Sequence, residues 1–69
     1  MPEISSANAA TLIGVSDETI RRLIDRSVLP ARKFGLRGIV RIDIDELRKL
    51  AERLNYRFDE EAAKQFYEN

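Results

Sequence analysis

The chain has 69 residues, with twelve lysines and arginines, twelve aspartates and glutamates, and neither cysteine nor histidine. A chain of this length is one small domain that buries only about 60% of its unfolded surface. Disulfides, thiolate or imidazole metal sites and catalysis through Cys or His are all excluded.

Zero net charge hides a strong segregation. Residues 21–42 carry seven cations against the single carboxylate of Asp25, a balance of +6, while residues 1–20 and 43–69 each stand at −3. A basic third between acidic ends is either a solvated charged face or the footprint of a polyanion on one side of the molecule.

In chain order, Ser5 or Ser6 caps a first helix, since a hydroxyl accepts from the orphan N–H groups of a first turn. Ala7, Ala9, Ala10, Leu12 and Ile13 form that helix, and Gly14 ends it because glycine tolerates positive φ. Ser16 caps a second helix, with Asp17 and Glu18 in the first turn where the helix dipole favours acids. Ile20, Leu23 and Ile24 recur at helical spacing and predict the buried stripe. At 100° per residue Glu18 and Arg22 then point most directly away from the core, flanked by Thr19, Arg21, Asp25 and Arg26. Two helices joined by Gly-Val-Ser make a helix-turn-helix.

After Pro30, "ARKFGLRGIVRI" reads as a β-hairpin. Gly35 and Gly38 bracket a four-residue connection with Leu36 and Arg37 at its tip. The expected register turns Phe34, the stem of Arg32, Val40 and Ile42 to the core, and Lys33 and Arg41 outward; Ile39 is awkwardly exposed in it. Asp43 or Asp45 caps a third helix, Asp43 and Glu46 having capping-box spacing, and Leu47, Leu50, Ala51 and Leu54 form its apolar face. In the last stretch, Asp59 caps a short fourth helix carrying Ala62, Ala63 and Phe66, or the third helix runs on through it. Asn55 suits a helix end, which favours a break between Asn55 and Asp59. The predicted fold class is therefore mainly α with a small β-hairpin: a helix-turn-helix, a hairpin wing, a third helix and a short C-terminal helix. The expected division is a DNA-binding domain over 1–54 and a helical extension over 55–69. No apolar run approaches the roughly 20 residues of a membrane span and no signal peptide opens the chain, so the expectation is a cytoplasmic protein without a membrane partner.

The order "ISSANAATLIGVSDETIRRLI", then "LP", the basic hairpin and "RIDIDELRKL" resembles the small excisionase and MerR-like families of winged helix-turn-helix DNA-binding proteins, over about residues 4–54. The chain departs from them at Asn8, where many members have Glu, and at Ser27, where many have Gly. The resemblance implies that the second helix enters the major groove of duplex DNA and that the wing touches the adjacent minor groove or backbone.

The residue chemistry agrees with that placement. Arg22 is the outward residue best placed for a guanine edge, with a phosphate contact or a solvated arginine as the alternative. Arg21 and Arg26, on the flanks, suit phosphates. Thr19 either touches the DNA or is simply part-buried, and Ser16 is first a cap and second a phosphate contact. In the wing Arg37 is the candidate for the minor groove, with Lys33 and Arg41 on the backbone; Arg32 completes the basic set.

No catalytic constellation is present, so the expectation is a protein that is not an enzyme and needs no cofactor, metal or small-molecule ligand. Tyr56 and Tyr67 read as structural. An excisionase, which binds and bends DNA beside an integrase and sets the direction of site-specific recombination, is the leading expectation. The alternatives are a small MerR-like transcription regulator, a terminase small subunit, or an adaptor for an acidic protein. The acids Glu60, Glu61 and Glu68 are candidates for protein contacts, with a neighbouring copy on DNA or with the integrase.

Overall fold

The computed structural model of the chain describes residues 2–36 and 38–67. Arg37 and Glu68, both singled out above, lie outside the described residues. The elements in order are β1 (Glu3–Ile4), α1 (Ser6–Ile13), α2 (Asp17–Asp25), β2 (Arg32–Phe34), β3 (Ile39–Asp43), α3 (Ile44–Leu54) and α4 (Glu60–Tyr67). This is a winged helix-turn-helix, mostly helical.

Each helix is bounded by the chemistry expected of its ends. Ser5 Oγ accepts from Asn8 N at 3.1 Å and opens α1. Gly14, at φ +71°, closes it, with Val15 N donating to Ala10 O at 3.0 Å. A side chain at Gly14 would be strained by that φ, and its Cβ would also stand 3.1 Å from Arg57 Cδ. Ser16 Oγ accepts from Thr19 N at 3.1 Å and opens α2. That helix ends with Ser27 at φ +60°, so a serine here takes a left-handed turn that glycine adopts without steric cost. The conformation costs an L-residue about 1 kcal/mol. Val28 N and Leu29 N, both donating to Leu23 O at 2.9 and 3.1 Å, hold the chain in it.

Asp43, not Asp45, caps α3: its Oδ1 accepts from Asp45 N and Glu46 N at 2.8 and 3.3 Å. Glu46 reaches Lys49 at 3.8 Å. Asn55, at φ +62°, ends α3, and Asp59 Oδ1 accepts from Ala62 N at 3.0 Å to open α4. The break between third and fourth helix falls in the predicted interval.

The sheet holds one strand more than the sequence reading. β1 pairs antiparallel with β3 (Glu3 opposite Asp43, Ile4 opposite Ile42), giving the order β1-β3-β2. Ile44 N donates to Pro2 O at 3.1 Å and extends the pairing into the start of α3.

The face assignment of the hairpin needs correcting. In the β2–β3 ladder Lys33 stands opposite Val40, Phe34 opposite Ile39 and Arg32 opposite Arg41. Directly paired residues share a face. Lys33 therefore lies on the side of Val40 and Ile42, toward the helices, while Phe34, Ile39, Arg32 and Arg41 lie on the outer side. Phe34 does not face the core; it is 40% exposed, with the Arg32 guanidinium 4.7 Å from its ring centre.

The core is built from Ile4, Leu12, Ile13, Ile20, Leu29, Ile42, Ile44, Leu47 and Leu50, all fully buried. Burial of an aliphatic side chain contributes about 1.5–3 kcal/mol, so these few residues dominate a domain this small. Leu54, expected on the inner face of α3, is instead exposed at its C-terminal end.

The fourth helix belongs to the same core. Ala63 is buried in it, and Phe58, Ala62 and Phe66 pack against that core. Asp59 N donates to Leu12 O at 2.9 Å, tying the α3–α4 loop to the end of α1.

Candidate nucleic-acid interface

α2 turns one apolar stripe inward, with Ile20 fully buried and Leu23 and Ile24 packed against the core. What remains on its other face is charged. Arg21 Nε lies 3.1 Å from Asp17 Oδ2 and Arg22 Nη2 lies 3.3 Å from Glu18 Oε2, one helical turn earlier in each case. Both arginine side chains are about two-thirds exposed or more (71% and 67%), so these pairs are held in water and are worth only about 0.2–1 kcal/mol each. They align the guanidinium groups along the helix without binding them firmly. Asp17 Oδ1, by contrast, is buried without a hydrogen-bond partner. Its position in the first turn places it at the positive end of the α2 dipole, which offsets its charge.

Ser16 and Thr19 sit at the opening of α2. Their hydroxyls are 3.0 Å apart, and Ser16 also serves as the cap. Ser16 is exposed and Thr19 half-buried, while Arg26 stands exposed at the C-terminal end of the helix.

Between α2 and the hairpin runs an open groove. Arg21, Ile24 and Asp25 line one wall, Lys33 and Val40 the other, and Ser5 and Ser6 lie at its end. The corrected register is what puts Lys33 here, lining the same groove as Arg21.

Arg32 and Arg41 lie on the opposite face of the hairpin, directly across the ladder from each other. Like charges in that relation repel. Glu3 Oε2 on β1, 3.2 Å from Arg32 Nη1, relieves the repulsion. Among the described residues Arg26, Lys33 and Arg41 have no ion-pair partner.

Of the basic residues expected to meet a polyanion, the fold thus gathers Arg21 and Lys33 into one groove. It sets Arg22 and Arg26 on the exposed side of α2 and sends Arg32 and Arg41 to the outer hairpin face. Arg57 was not foreseen. It comes from the α3–α4 loop and lays its stem against Gly14, so its exposed cation flanks the turn between α1 and α2.

The acids of the C-terminal segment divide differently. Glu60 takes a two-pronged contact from Arg48, Nε to Oε2 and Nη2 to Oε1, both at 3.0 Å. Arg48 Nη1 also donates to Asp45 Oδ1 at 2.8 Å and to Tyr67 Oη at 3.2 Å, and Tyr67 donates to Asp45 Oδ1 at 2.7 Å. The hydrogen bonds from Tyr67 and Arg48 hold the Asp45 carboxyl below its usual range, although desolvation opposes them. Glu60 and Tyr67 push Arg48 further up. Desolvation, helped by Asp45, raises the Tyr67 phenol. Glu60 is therefore engaged within the fold. Glu61 is exposed and, among the described residues, meets only Lys64, at 3.2 Å. The one sequence sign of this cluster is the i,i+3 spacing of Asp45 and Arg48; its other members come from the far end of the chain.

Among the described residues no group of three or more His, Cys, Asp or Glu is placed to hold a metal ion, and no helix is long and apolar enough to cross a membrane. No curated protein and no solved structure gives a significant match to the chain. A family model described as a helix-turn-helix domain matches residues 4–55, from the buried strand residue Ile4 to the cap that closes α3. With α1, the Gly14 turn, α2, the hairpin and α3 all inside that span, the chain belongs to the helix-turn-helix domain family of DNA-binding proteins.

Proposed function

We propose that this protein is an excisionase: an accessory factor, without catalytic activity of its own, that binds and bends duplex DNA beside an integrase and sets the direction of recombination. The observation that supports it best is the placement of α2 and the hairpin wing on either side of one groove, with Arg21 and Lys33 facing each other across it. On this reading α2 lies in the major groove. Arg22 reads a guanine edge, Arg21 and Arg26 hold phosphates, and Ser16 and Thr19 approach the backbone at the start of the helix. In the wing Arg37 enters the adjacent minor groove and Lys33 and Arg41 hold the backbone, with Arg32 beside them. Residues 1–54 serve as the DNA-binding unit and 55–69 as its C-terminal extension, of which α4 packs on the shared core.

One recognition helix and one short wing make a small interface, which gains useful affinity from neighbours bound alongside. Self-association on DNA and contact with the integrase follow from that need. Of the two described acids expected to serve it, Glu61 has the charge more available, since Glu60 is committed to Arg48.

If four to six phosphates are neutralised, log affinity falls with log salt at a slope of about −4 to −5, measurable by mobility shift at several salt concentrations. A flat response would remove DNA as the partner. In a reconstituted integrase reaction the protein is expected to redirect recombination toward excision. Tight DNA binding with no effect on any cognate integrase would put a small transcription regulator in its place.

The α2 ion pairs offer a separate check. Glu18→Gln removes the carboxylate that competes for Arg22. Binding to random duplex at low salt is expected to tighten by about 1.5- to 5-fold, the equivalent of one exposed pair. A weaker complex would show that Glu18 orients Arg22 instead of competing for it.

A further inference from the structure

The tip of the wing carries an unpaired apolar group. Leu36 is the most exposed large hydrophobic side chain among the described residues, at 107% of its reference area, and Phe34 and Ile39 beside it are exposed as well. Gly35 and Gly38 close the turn, Gly38 N donating to Gly35 O at 3.3 Å, and a Cβ added to either glycine would meet nothing within 4 Å. Gly35 and Gly38 therefore stand clear of the rest of the fold, and among the described residues Leu36 packs on nothing.

The setting of this leucine is specific in its charge. Residues 26–42 hold five cations and no carboxylate, and Arg37 follows Leu36 directly in sequence. A surface that is cationic around an apolar point complements a partner that is anionic outside and apolar within. Duplex DNA has that construction, with phosphates along the groove edges and a stack of bases behind them. Apolar side chains that reach the minor groove can part a base step and kink the duplex.

We propose that Leu36 is a wedge: the wing carries it into the minor groove, where it enters between two base pairs and unstacks them, while the hairpin cations hold the phosphates on either side. The inference rests on the DNA-binding reading above and gives its bending a structural cause. Pyrimidine–purine steps, which unstack most easily, are the expected point of entry.

The full chain, its Leu36→Ser and Leu36→Met variants, and a duplex selected by the protein from a random pool supply the test. 2-Aminopurine is placed in turn at each pyrimidine–purine step, and dyes at the duplex ends report bending by energy transfer. The wild type is expected to raise 2-aminopurine fluorescence at one step and to bend the duplex within the range of about 20–90° typical of wedged complexes. Leu36→Ser loses both signals while still binding, Leu36→Met keeps both, and all three melt alike because the side chain is free of the core. Binding with the same bend and the same fluorescence in Leu36→Ser overturns the wedge alone. A dimer in sedimentation that Leu36→Ser dissolves also overturns it, by giving the leucine a second copy of this chain as its partner. Absence of binding to any duplex overturns this inference and the DNA-binding reading together.

Discussion

Replacing Arg48 by alanine is expected to lower the free energy of unfolding by about 2 kcal/mol, a large loss for a domain this small. The guanidinium joins α3 to α4 through Glu60, Asp45 and Tyr67, and it lies 4.9 Å from the Phe58 ring centre. A bidentate charged contact is stronger than a single surface pair, and a stacked aromatic adds about 0.5–1 kcal/mol at an exposed site. The side chain is one-third exposed (33%), so solvent screening keeps the figure below that of a buried ion pair. For a chain of this size the loss corresponds to a fall in melting temperature of about 8–16 °C. Arg48→Lys retains charge but not the fork and is expected to recover only part of it.

The pH dependence of wild-type stability has two arms. Asp45 is held below its ordinary 3.8, so its contribution is complete above that value and is lost as the pH falls through the folded pKa. Tyr67 is raised above its ordinary 10.0, so its contribution is complete below that value and is lost as the pH rises through the folded pKa. Thermal melts from acid to alkali measure both arms. An unchanged melt for Arg48→Ala would mean that Ala63, Phe58 and Phe66 hold α4 without the polar cluster.

The second large effect is expected at Arg22. Its alanine variant is expected to cost about 1–3 kcal/mol on the selected site and little on random duplex, because a bidentate contact to guanine discriminates among sequences. Lys33→Ala, in the groove beside α2, is expected to weaken both kinds of binding and to reduce the salt slope by about one. Paired titrations on selected and random duplexes separate the two behaviours. Equal losses on both duplexes for Arg22→Ala would assign Arg22 to a phosphate.

The helices of this fold are legible in the sequence because their signals are local. Ser5, Ser16, Asp43 and Asp59 open them, and Gly14 and Asn55 close them. β1 carries no such signal. Two residues, Glu3 and Ile4, have no periodicity to read, and they are a strand only because β3 offers an edge for Ile4 to cover.

The hairpin failed for a different reason. A four-residue loop from Gly35 to Gly38, as the sequence indicates, requires Phe34 to stand opposite Ile39. The apolarity of Phe34 points to the core, and the loop length overrides it. A strand has only two faces, so turning Phe34 inward places Lys33 and Phe34 on the wrong sides together. Of the candidate interface, the arginines of α2 are visible from helical spacing. The meeting of Lys33 with Arg21 is not, because it depends on that register.

The inward stripe of α2 consists of Ile20, Leu23 and Ile24, while Glu18, Arg22 and Arg26 are exposed and join no part of the core. Substitutions at those three positions open no cavity and break no packing contact, so stability places little constraint on which side chains stand there. Under the proposed reading the same face of α2 meets the DNA, with Arg22 on a base edge and Arg26 on a phosphate. Natural or engineered variants can then be retargeted to new DNA sites a residue at a time, each intermediate still folding, and the preferred sequence can drift far faster than the scaffold that presents it.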